Sequence, residues 1–156
     1  MMKAQIQNSL FMVSEIKVSY MPKFKASERP RICRSKDAYE ILYNNWDLGR
    51  IEMTEQFFIL LLNRANNVIG MTEVSSGGFA GTVVDPKVIF SIALKCAASS
   101  LVLAHNHPSS NIKPSQADLI ITRRLVEAGK ILDLEIMDHI ILSKDRYFSF
   151  GDEGLL

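Results

Sequence analysis

Two histidines one residue apart, His105 and His107, are followed after seven residues by Ser115 and, with two residues between, by Asp118. No other stretch restricts the fold as much. Side chains at i and i+2 of an extended segment point the same way, so a strand carrying His105 and His107 makes them converge while Asn106 faces away. Ser115 suits a helix N-cap, which puts Asp118 in the first turn, near unpaired amides and the positive helix end that favour its ionised form. A strand must therefore end at the histidines and a helix must start soon after. Two imidazoles and a carboxylate suit a zinc ion with three protein ligands, His105, His107 and Asp118, and a fourth position open to water.

Each part of this motif also has a plainer reading. Ser-x-x-Asp is an ordinary capping box, and His-x-His alone is weak evidence for a metal. Capping and ligation do not exclude each other, because a carboxylate has two oxygens. Pro108 and Pro114 stiffen the intervening loop, and residues 109–111 suit a turn at the same mouth.

Water held by a metal benefits from a nearby base, and the acidic candidates upstream are Glu52, Glu55 and Glu73. Glu55 stands at the entrance to the most apolar segment, where partial burial suits a proton shuttle. Glu73, in the neighbouring segment, is the runner-up. The Ser115 hydroxyl could also donate to an oxyanion as water attacks a carbonyl. His139 interrupts an apolar strand pattern and reads as a core histidine or a supporting one, not a ligand.

A chain of 156 residues, 47% hydrophobic and 22% charged, fits a single soluble globular domain with a real core. Its strongest apolar run, residues 57–62, is too short to span a bilayer. The N-terminus lacks the apolar stretch of a signal peptide, so a cytoplasmic location is expected. Cys96 falls in an apolar helical pattern, and neither it nor Cys33 belongs to a CxxC pair. The net charge of +1 hides an asymmetry: residues 1–36 hold eight Lys or Arg against two Glu. Such a basic arm could contact nucleic acid phosphates or dock on its own acidic domain.

Periodicity predicts a strand over 11–20, a polar connector, and a helix over 37–46 capped by Ser35. Residues 57–62 and 68–74 read as strands joined by an Asn66-Asn67 turn, with a third short strand at 82–84. Asp85-Pro86 predicts a helix running to about residue 98, with Ile89, Ile92, Ala93, Cys96 and Ala97 facing inward. A strand from 100 to 104 delivers His105, and a helix over 116–128 is expected to stop at Gly129. Strands over 134–143 and 146–150 close the chain. The pattern implies a sheet curled around or against a few helices. The organisation is a basic strand and connector over 1–34 and one domain over 35–156.

The spacing His105-x-His107, seven residues, Ser115, two residues, Asp118 resembles the JAMM motif of the JAB/MPN superfamily. Ala104-His105-Asn106-His107-Pro108-Ser109, Pro114-Ser115, Asp138-His139-Ile140-Ile141, Gly77-Gly78, Asp85-Pro86 and Tyr147-Phe148-Ser149-Phe150 resemble its RadC-like branch. Ser110 stands where that branch usually has glycine. The resemblance implies an α/β fold of α+β type, JAB/MPN-like and cytidine-deaminase-like, with a curled mixed sheet packed by two or three helices. It further implies Zn2+ on His105, His107 and Asp118, Glu55 as general acid/base and Ser115 as stabiliser of the tetrahedral intermediate. The implied activity is metallopeptidase cleavage of peptide or isopeptide bonds in a protein or peptide substrate. The alternative is a DNA-associated accessory protein linked to DNA repair, with a mainly structural zinc site and nucleic-acid contact through the basic arm.

Overall fold

The computed structural model describes residues 13–77 and 83–156. In it, helix α1 (Ser35–Asn45) precedes strands β1 (Gln56–Leu62) and β2 (Val68–Ser76), followed by α2 (Pro86–Lys95) and β3 (Ser100–Asn106). Helix α3 (Gln116–Ile131) and strands β4 (Glu135–Leu142) and β5 (Tyr147–Ser149) complete it. The five strands form one mixed sheet in the order β2-β1-β3-β4-β5. Only β3 and β4 run parallel; β1–β2, β1–β3 and β4–β5 are antiparallel.

The sheet is open, not curled, which corrects the expectation from sequence. Alternation along the strands sends side chains to two separate cores, each covered by helix. Leu60, Leu62, Val102, Ala104, Ile140 and Leu142 pack under Ala38, Leu42 and Trp46 at α1. Phe57, Ile59, Leu61, Leu101 and Leu103 pack under Ile89, Phe90 and Ala93 of α2 and Leu125 of α3. With both faces already shielded, closing the sheet on itself would bury no further apolar surface. At one edge β5 is three residues long and pairs only along residues 140–142 of β4.

Asp85 caps α2 as expected: its Oδ1 accepts the Lys87 N–H at 2.9 Å, and Pro86 follows. Helix α1 starts differently. Its N-cap is Arg34, and Asp37 reaches back to accept the N–H groups of Cys33 and Arg34, each at 2.9 Å. Ser35, expected as the cap, bonds Asp152 instead. Residues 13–20 form no strand and are exposed, so that expectation fails for them, while Phe11 and Met12 lie outside the described residues. Val83 and Val84 likewise form no strand; Gly78 and Thr82 lie outside the described residues.

Helices α2 and α3 both end with a non-glycine residue in the left-handed region, Ala97 (φ 51°) and Asp133 (φ 52°). In each case the next N–H reaches back over the turn, Ala98 to the Ala93 carbonyl (3.0 Å) and Leu134 to the Gly129 carbonyl (2.9 Å). Thus α2 stops at Lys95, short of residue 98, and α3 runs past Gly129 to Ile131. Gly129 serves close approach instead of termination: a Cβ there would lie 2.3 Å from the Leu134 carbonyl oxygen. Gly129→Ala is therefore expected to cost about 1–3 kcal/mol, seen as a lower denaturant midpoint. An unchanged midpoint would mean that this turn relaxes freely.

Among the described residues no helix is long and apolar enough to cross a membrane. Cys33 and Cys96 are both free; Cys33 is exposed and Cys96 is partly buried.

Candidate metal centre

Strand β3 carries His105 on the α2/α3 face, in line with Leu101 and Leu103, and buries it to 1% exposure. His107 follows just beyond the strand end. Ser115 is the N-cap of α3: its hydroxyl accepts the Asp118 N–H at 3.2 Å, and Asp118 Oδ2 accepts the Ser115 N–H at 2.7 Å. This capping box turns the carboxylate back over the helix start, toward the histidines.

The three side chains meet. His105 Nε2 lies 3.0 Å from His107 Nε2 and 3.2 Å from Asp118 Oδ1, and His107 Nε2 lies 3.4 Å from Asp118 Oδ2. Donor atoms around a tetrahedral zinc ion at about 2.0–2.1 Å would stand roughly 3.3 Å apart. The cluster therefore fits an ion of that size, and these three residues form a candidate metal-ligating group. The cap occupies Asp118 Oδ2 and leaves Oδ1 toward His105. His107 Nδ1 faces the Asn111 carbonyl oxygen, which can only accept; the proton sits on Nδ1, and Nε2 offers its lone pair to the cluster.

Electrostatics favour the ligand form of Asp118 but the protonated form of His107. Burial alone would raise the Asp118 carboxyl, but the imidazoles of His105 and His107 beside it outweigh burial and hold the group well below the usual carboxylate range. His107 is pushed upward, first by its hydrogen bond to Asp118 and against its burial, with the Glu55 charge adding to the effect. His139 is pushed well below the usual histidine value, chiefly by complete burial.

The acidic candidates separate by face. Phe57 pairs with His105 at the end of the β1–β3 ladder, and half-buried Glu55 stands two residues before it, its charge acting on His107. Glu73 pairs with Phe58, whose side chain packs on the α1 core. Directly paired residues share a face, so exposed Glu73 lies on the side of the sheet away from His105 and takes a hydrogen bond from Gln56 (3.3 Å). Glu52 is exposed and faces Lys144 at 3.9 Å.

One important residue was not evident from sequence. Asn106 does face away from the two histidine side chains, but it is buried and fully used. Its amide donates to the carbonyls of Ile51 (2.7 Å) and Thr54 (2.9 Å), and its oxygen accepts the Gln56 N–H at 2.8 Å. It thereby ties the strand end to the segment that carries Glu55. The available signal was a lone amide at the end of a largely apolar buried strand, where a polar group must find partners. Asn106→Ala is expected to destabilise the metal-free chain by about 3 kcal/mol, since three backbone groups lose their partner. Denaturant unfolding of wild type and variant checks this, and equal midpoints would refute the tie.

The family model of the RadC-like JAB domain matches residues 32–155. The chain belongs to the RadC-like JAB domain family. Its relatives include a UPF0758 protein of Flavobacterium johnsoniae, 44% identical over 125 residues, which are 80% of this chain and 53% of that protein. A UPF0758 protein of Methanosarcina acetivorans is 36% identical over 133 residues, 85% of this chain and 57% of that protein. One from Syntrophomonas wolfei is 45% identical over 102 residues, 65% of this chain and 43% of that protein. This RadC-like chain thus spans about half the length of the curated relatives it matches, and its His-His-Asp cluster is consistent with a JAMM-like metal site.

Proposed function

We propose that the chain is a zinc-dependent hydrolase of peptide or isopeptide bonds. The observation that carries this reading is the convergence of His107 Nε2 and Asp118 Oδ1 on His105 Nε2, at 3.0 and 3.2 Å, with the Glu55 charge acting on His107. His105, His107 and Asp118 would hold the ion. When bound, zinc would lower the pKa of a water molecule and polarise the scissile carbonyl. Glu55 takes a proton from the attacking water on a carboxylate oxygen and returns it to the leaving nitrogen. The Ser115 hydroxyl uses its oxygen to accept the Asp118 N–H, so its proton can be given to the developing oxyanion. Asp118, held anionic, balances part of the charge of the ion.

The test is elemental analysis of the purified chain joined to a cleavage screen of linear and isopeptide-branched peptides. One zinc per chain is expected, with cleavage that stops on chelation and returns with zinc. Stoichiometric zinc without cleavage of any library member, or cleavage indifferent to chelation, would overturn the reading.

A further inference from the structure

Behind His105 a second hydrogen-bonded line runs away from the cluster. His105 Nδ1 lies 2.8 Å from His139 Nε2, and His139 Nδ1 lies 2.6 Å from Thr122 Oγ1. Thr122 Oγ1 in turn donates to the Asp118 backbone carbonyl at 2.6 Å. His139 is fully buried on β4, with its ring stacked on Phe150 (centroids 4.7 Å apart, planes 18° apart). The proposed hydrolysis leaves His139 and Thr122 without a part.

The proton positions along this line follow from its far end. A carbonyl oxygen only accepts, so the single hydroxyl proton of Thr122 goes to Asp118. The Thr122 oxygen must then receive the proton of His139 Nδ1. A neutral imidazole carries one proton, so His139 Nε2 is an acceptor and takes the proton of His105 Nδ1. His105 Nε2 is left with its lone pair, aimed at His107 Nε2 and Asp118 Oδ1. Metal-binding histidines commonly have their tautomer fixed by what the other nitrogen donates to; here that role falls to a second imidazole.

We infer that Thr122 and His139 are positioning residues that hold His105 in its Nδ1–H tautomer, so that Nε2 is ready for a metal before any ion arrives. The inference deepens the metal-site reading and rests on it. The helix carbonyl that sets the direction belongs to Asp118, itself a ligand, so the line starts and finishes at the same site. A buried histidine that only filled space would be indifferent to the polarity of Thr122.

The experiment compares wild type with Thr122→Val, which keeps the shape and removes the hydroxyl, and Thr122→Ser, which restores it. Zinc affinity by competition with a chelating dye is expected to fall roughly 10–100-fold in T122V and to stay near wild type in T122S. Long-range 1H–15N NMR of the metal-free chains at pH 8 reads the tautomer directly. Wild type and T122S should show His105 as Nδ1–H, and T122V a mixture or the Nε2–H form. Equal zinc affinity in wild type and T122V, or an Nε2–H His105 in metal-free wild type, overturns the relay and leaves the metal site standing. A wild type that takes up no zinc overturns the metal-site reading, while the NMR assignment still decides the tautomer.

Discussion

Glu55→Gln is expected to lower peptide or isopeptide cleavage about 10²–10⁴-fold, the usual contribution of a positioned general acid/base, while zinc content remains at one per chain. The substitution keeps size and hydrogen-bonding reach but removes the ability to take a proton. Position supports the choice: Glu55 stands two residues before Phe57, which pairs with His105, and its charge acts on His107. Glu73→Gln is the matched control: that carboxylate is exposed on the α1 face and should change the rate little. Steady-state rates of the three proteins, with zinc measured on the same samples, decide the matter. A Glu55→Gln variant within tenfold of wild type would move the proposed proton shuttle elsewhere.

Asp118→Asn should weaken zinc binding by over a hundredfold. Structural zinc binding is worth about 10–16 kcal/mol across four ligands, so losing one anionic ligand costs roughly 3 kcal/mol. Asparagine retains an oxygen for the Ser115 N–H, so the start of α3 should survive and the loss should appear in affinity more than in folding. A pH series adds a sign. In the metal-free chain His107 is pushed upward, first by its hydrogen bond to Asp118, so a proton competes for Nε2 as the pH falls through that raised value. Wild-type affinity is expected to drop about tenfold per pH unit for each proton displaced, starting above the ordinary histidine range near 6.5. Removing Asp118 takes away the largest cause of the rise and should shift the onset to lower pH. Equal affinities for D118N and wild type would remove Asp118 from the ligand set.

The parts of this site that sequence disclosed are those whose logic is local. His105 and His107 are related by strand alternation, and Ser115 and Asp118 by the first turn of a helix. Asp85-Pro86 located the start of α2 for the same reason. The polar partners were hidden because they come from afar: Asn106 bonds backbone atoms about fifty residues earlier, at Ile51, Thr54 and Gln56. His139 carried a recognisable motif, but its use depends on β3 and β4 lying side by side.

Misreadings had equally specific origins. The apparent strand over 11–20 rests on partial alternation, yet Val13, Ile16 and Val18 are exposed; alternation cannot say whether a sheet edge is free to receive a segment. Gly129 looked like a helix stop because glycine usually takes the left-handed position, which here belongs to Asp133. The curl was misjudged because its absence depends on how helices divide between the two sheet faces, a property of packing and not of any single segment.

The three hydrogen bonds of Asn106 bear on how the pocket responds to an arriving ion. The strand end bearing the imidazoles and the stretch bearing Glu55 are fastened by one buried amide, so folding itself sets their relative placement. Ordering costs are met when the polypeptide folds, leaving little rearrangement for capture of the cation. Chelated and zinc-loaded forms should then superimpose at residues 51–56 and 105–107, with hydrogen-exchange protection there nearly the same in both.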